Sequence, residues 1–106
     1  MRPLLVMMAA CALGIAAIGA DKSKTHDVSI EGLAFKPDKI TVKVGQSVTW
    51  TNNDDRDHTV DCKEAELKSG IIHRGDTFAF IFKKAGTFHY KCRLHPRMKG
   101  EVIVEK

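Results

Sequence analysis

Ala85-Gly86-Thr87-Phe88-His89-Tyr90-Lys91-Cys92-Arg93-Leu94-His95-Pro96-Arg97-Met98-Lys99-Gly100-Glu101-Val102-Ile103-Val104 is the stretch on which the reading of this chain turns. Phe88, Tyr90 and Cys92 alternate with His89 and Lys91, the period of two that puts one set of side chains on a buried sheet face and the other in water. Ala85-Gly86 turns the chain into that strand, and after Gly100 a second strand runs through Val102 and Val104 flanking Ile103. The short loop between the strands carries a thiol, an imidazole and a thioether, each three residues from the last. Such soft-to-intermediate donors suit copper. A Cys-x-x-His pair alone also occurs in zinc sites, but methionine is not a normal zinc ligand, so Met98 sharpens the reading.

A trigonal copper site of two imidazoles and one thiolate with a weak axial methionine needs a second histidine. His58 is the natural candidate, ending the polar stretch Asn52-Asn53-Asp54-Asp55-Arg56-Asp57 and beginning a strand through Thr59 and Val60. It lies far upstream of Cys92, so the fold has to bring the two together. A sandwich does so because its end loops cluster at one pole. The expected ligand set is His58, Cys92, His95 and Met98.

Outward from this centre the chain repeats the strand pattern. Val28 and Ile30 alternate with Ser29 and Glu31, and Gly32 breaks the run before Leu33-Ala34-Phe35. Lys36-Pro37-Asp38 reads as a turn or sheet edge, since proline cannot donate to a central ladder. Ile40, Val42 and Val44 alternate with polar residues, and Gly45-Gln46 leads to Val48-Thr49-Trp50-Thr51. The phenylalanines at 78, 80 and 82 must share a face. Residues 63–68 suggest one helical turn stopped by Ser69-Gly70. The pattern predicts an all-β fold, a Greek-key β-sandwich or flattened barrel of about seven to eight strands in one domain.

The opening residues have a different character. Met1-Arg2, an apolar run from Pro3 to Ile18, and Gly19-Ala20 before Asp21-Lys22 outline a signal peptide over residues 1–20, with the domain over 21–106. The apolar run falls just short of the ~17–25 residues a membrane-spanning helix needs, which sets a retained anchor second. Export predicts a periplasmic protein free of the membrane after processing. The net charge of +4 falls by one when Arg2 leaves with the leader. Basic residues are scattered among acidic ones without aromatic interleaving, which argues against nucleic acid as a partner.

From Phe35-x-Pro37 and Val44-Gly45 through Val48-Thr49-Trp50-Thr51-Asn52 and Asp57-His58-Thr59-Val60 to the quoted stretch, the sequence resembles the cupredoxins, the type 1 blue-copper family. The short ligand loop looks most like amicyanin, with plastocyanin also similar. The resemblance implies one type 1 copper ion, strong bonds from His58, Cys92 and His95, a long one from Met98, and a His95 ring that reaches the surface. It further implies an electron carrier, with an amine dehydrogenase as donor and a c-type cytochrome as acceptor. Family members usually have asparagine after the upstream histidine and a small hydroxyl residue after the cysteine. Here Thr59 and Arg93 stand in those places, which leaves open the hydrogen bond that ties the two loops.

The remaining candidates read as bland. His26, His73 and His89 are expected at the surface, and Cys62 as a free, partly buried thiol, because a Cys62–Cys92 disulfide would consume the thiolate that the site needs. Two histidines, a cysteine and a methionine leave no open position for substrate, so electron transfer by a monomer is expected rather than an enzyme. A carrier that hands copper to an exported apo-enzyme is the alternative. The loop with Arg93, Arg97 and Lys99 around His95 is expected to dock redox partners.

Overall fold

In the computed structural model, which describes residues 22–106, nine strands form two sheets. They are β1 (Thr25–Glu31), β2 (Ala34–Lys36), β3 (Lys39–Lys43), β4 (Ser47–Asn52), β5 (Asp61–Cys62), β6 (Leu67–Lys68), β7 (Thr77–Ile81), β8 (Gly86–Lys91) and β9 (Lys99–Glu105). One sheet has the order β2-β1-β4-β7 and the other β3-β9-β8-β5-β6. Both are mixed, since β1 runs parallel to β4 and β3 parallel to β9 while the other pairs are antiparallel. The all-β sandwich expected from the alternation is present. The leader read over residues 1–20 lies outside the described residues, and no helix among the described residues is long and apolar enough to cross a membrane.

The inward side chains of both sheets make one core. Val28 and Ile30 of β1, Val48 and Trp50 of β4, Tyr90 of β8 and Val102 and Val104 of β9 are each at most 3% exposed. Full burial of a Val or Ile side chain contributes about 1.5–3 kcal/mol, so the strand alternation is the main source of cohesion. Trp50, Phe35 and Tyr90 form an edge-to-face cluster, with Tyr90 centred 4.7 Å from Phe35 and 5.3 Å from Trp50. The polar tips of Trp50 and Tyr90 lean toward each other yet complete no hydrogen bond of ordinary geometry.

Three local readings are corrected. Residues 63–68 do not form a helical turn ended at Ser69-Gly70. A 3-10 turn spans Lys63–Ala65 and stops at Glu66, whose φ is 54°, and Leu67 then pairs with Cys62 across a tight hairpin. Burial of Leu67 to 3% favours this reversal over a continued helix. His58 does not start a strand; it makes one bridge, to Ile72, before β5 begins. His26 is half-buried rather than a surface residue, with Nε2 2.9 Å from Gln46 Oε1.

The β1–β2 hairpin positions part of the site. Glu31 pairs with Ala34, so Gly32 and Leu33 alone make the turn, and both have positive φ (63° and 57°). A two-residue turn of this kind matches the twist of the strands but strains leucine, which is held there with its side chain 44% exposed.

Candidate metal centre

The seven-residue loop from Cys92 to Met98 joins β8 to β9 and is closed by its own backbone. Cys92 N–H donates to Met98 O at 3.1 Å, and Met98 N–H to His95 O at 2.8 Å. Cys92 continues the inward face of Phe88 and Tyr90 and is fully buried, while His89 on the opposite face is 74% exposed beside Glu101. The loop that carries His58 is braced from beneath by Asn52, itself fully buried. Its side-chain amide donates to Arg56 O (2.8 Å) and Ile72 O (2.9 Å), and its Oδ1 accepts Asp54 N–H (2.9 Å). These bonds, with the His58–Ile72 bridge, bring His58 over the thiol.

Cys92 Sγ lies 3.7 Å from His58 Nδ1 and 3.7 Å from His95 Nδ1, and the three donor atoms fall within 4.8 Å of one another. Metal–nitrogen and metal–sulfur bonds of about 2.0–2.3 Å at trigonal angles would separate sulfur from nitrogen by about 3.7 Å, so both thiol–imidazole spacings fit one shared ion. Met98 is 4% exposed and lines the same depression as His95. The four residues expected from the sequence therefore gather at one pole.

Asp54 and Leu33 are part of this arrangement and were not singled out by the sequence pattern. Asp54 Oδ2 accepts from His58 Nε2 at 2.9 Å and from Leu33 N–H at 3.1 Å. The His58 bond and the backbone N–H groups of Leu33 and Asp55 hold the Asp54 carboxyl below the usual range. With Nε2–H engaged by a carboxylate, the Nδ1 lone pair of His58 faces the other donors, the arrangement that orients a metal-binding imidazole. No spacing rule marks Asp54 among the three aspartates of its loop.

Thr59 supplies the tie between loops that its replacement of asparagine left open. Its N–H points to Cys92 Sγ at 3.3 Å, and its Oγ1 accepts Arg93 N–H at 2.8 Å. The Arg93 guanidinium turns back to pair with Asp61. Cys62 and Cys92 are both free thiols. Burial pushes the Cys62 thiol pKa up, and its Sγ lies 3.7 Å from Glu64 Oε1. His73 is exposed and paired with Asp57, whose hydrogen bond raises its pKa.

The family model of the cupredoxin-like domain matches residues 4–104. The chain is a cupredoxin. It is 33% identical to amicyanin-alpha of Methylorubrum extorquens over 84 residues, covering 74% of this chain and 71% of that protein. It is 35% identical to amicyanin of Paracoccus denitrificans over 83 residues, covering 74% of this chain and 63% of the relative. A solved Cu(I) form of an amicyanin methionine-to-alanine mutant superposes with a TM-score of 0.73 at 33% identity, covering 85% of this chain and 89% of that one. As a cupredoxin the protein belongs to the single-copper electron carriers and not to the enzymes. His58, Cys92, His95 and Met98 are this cupredoxin's candidate copper ligands.

Proposed function

We propose that this cupredoxin works in the periplasm in the manner of an amicyanin, passing single electrons between redox proteins through one type 1 copper ion. In this reading His58 Nδ1, Cys92 Sγ and His95 Nδ1 are the strong ligands and Met98 the weak axial one. The observation that carries it is the donor set, with Cys92 Sγ 3.7 Å from each imidazole Nδ1 and all three donor atoms within 4.8 Å of one another, on two loops braced by their own hydrogen bonds. Bound copper supplies a one-electron couple and an intense thiolate-to-copper absorption.

The chain's own residues do the rest. Asp54 orients His58, the Thr59 amide faces the thiolate, and buried Met98 closes the site on the protein side. His95 is half-buried beside a depression of about 490 Å³ lined by Leu33, Leu94, Pro96, Arg97 and Met98. An apolar surface around a ligand ring permits close approach of a partner without burying unpaired charge. In this reading the donor is an amine dehydrogenase and the acceptor a c-type cytochrome.

Voltammetry of the purified copper protein with metal analysis tests this. The oxidised protein should be blue with one copper per chain, and Cys92→Ser should be colourless. Met98→Leu should keep copper while moving the potential. A colourless oxidised wild type would remove the type 1 assignment. Sluggish voltammetry with copper released to an apo-enzyme would replace electron transfer by copper delivery.

A further inference from the structure

We propose that Thr59 is a positioning residue for Cys92 through its side chain. Its hydroxyl, fixed by the Arg93 amide, donates its proton to the Cys92 sulfur, and the Asp61–Arg93 ion pair holds the arrangement from outside. Thr59 is fully buried. A hydroxyl has one proton to give, and buried polar groups are almost always partnered. Thr59 Oγ1 already accepts Arg93 N–H at 2.8 Å, so its proton must point elsewhere, and Cys92 Sγ stands 3.9 Å away. The β-branched side chain has few rotamers with which to escape this geometry.

The same residue thus presents two donors to one sulfur, the backbone N–H at 3.3 Å and the hydroxyl at 3.9 Å. Donors at a thiolate withdraw charge from the thiolate–metal bond and favour the reduced ion, which makes them controls of potential. The outer latch spans the same joint. Asp61 sits in β5, two residues after Thr59, and Arg93 directly follows Cys92, so their pairing spans the strand contact between Asp61 and Lys91. The side chains are 20% and 40% exposed, and the Arg93 charge is engaged by its own fold.

The inference rests on Cys92 being the copper thiolate, and its test therefore has one arm without metal. In the copper-free protein, Thr59→Val should speed hydrogen exchange of the Arg93 amide by tenfold or more, while Thr59→Ser should restore the wild-type rate. In the copper protein, Thr59→Val should shift the couple three- to tenfold toward the oxidised ion, a fall of at most about 59 mV for one electron. Thr59→Ser should recover the potential, and Asp61→Asn should speed Arg93 exchange while leaving the potential near wild type. Thr59→Ala serves where valine is not tolerated. Unchanged Arg93 exchange in both hydroxyl-free variants would overturn the clamp, whatever the metal does. Faster exchange with an unchanged potential would overturn the donation to sulfur.

Discussion

Tyr90 stands two residues before Cys92 with its hydroxyl buried and without an ordinary hydrogen bond. Burial pushes its phenol pKa up to about 12. The unfolded value is about 10, so the folded state disfavours the phenolate. The stability that this group contributes is complete below about pH 10 and is lost as pH rises through about 12, a change of about 3 kcal/mol at its limit. Thermal melts from pH 7 to 12 should show a steep alkaline decline that Tyr90→Phe flattens, with little difference between the two proteins at pH 7. A large loss for Tyr90→Phe at pH 7 would show that the hydroxyl is bonded after all. At this scale the candidate ligands could be picked out because thiol, imidazole and thioether are rare chemistries at a fixed spacing. Asp54 was not, since it is one of three similar carboxylates between Asn53 and His58, and only the bracing by Asn52 selects it. Leu33 was read only as the residue after the Gly32 break; its place beside Leu94 and Pro96 depends on a turn geometry that leucine rarely adopts.

The strands flanking the ligand loop are matched with little tolerance. Tyr90 of β8 pairs with Gly100 of β9, and the Tyr90 ring lies where a side chain at position 100 would go. A Cβ there would overlap the ring, so Gly100→Ala should force Tyr90 from its aromatic cluster and cost about 1–3 kcal/mol. Denaturant titration of the copper-free protein checks this; an unchanged midpoint would mean that the ring shifts freely. The long strands were legible from alternation, and so was the outward placement of His89. The two-residue strands β5 and β6 were not, because a pair that short has no period to read. Their existence follows from the Cys62–Leu67 and Asp61–Lys68 pairings, which are long-range outcomes of the fold.

On the whole molecule, two basic side chains near the ligand loop, Arg97 and Lys99, have no ion-pair partner among the described residues. Arg97 is exposed beside His95 and Lys99 is exposed at the start of β9, just past Met98, whereas Arg93 is paired with Asp61 and counts for less than the sequence reading assumed. A partner with an acidic docking face should be drawn to Arg97 and Lys99, within a screening length of about 8–10 Å at ordinary salt. The double change Arg97→Glu and Lys99→Glu should slow transfer to such a partner and reverse its salt dependence, with the visible spectrum intact. Stopped-flow rates across a salt series measure this, and insensitivity to both salt and charge reversal would assign docking to the apolar surface alone. The opposite pole is defined by Lys22 against Gly45, by Ser47 bonded to Lys24 and by Val44 bonded to Glu105. The chain thus enters and leaves the sandwich at one end, the length of β9, about 20 Å, from the ligand loop. A protein tethered to an electrode or bead through either of these ends would stand with His95 pointing away. Exchange with the support would be slow while soluble partners reached the ring freely, and a linker attached near Leu33 would invert that orientation.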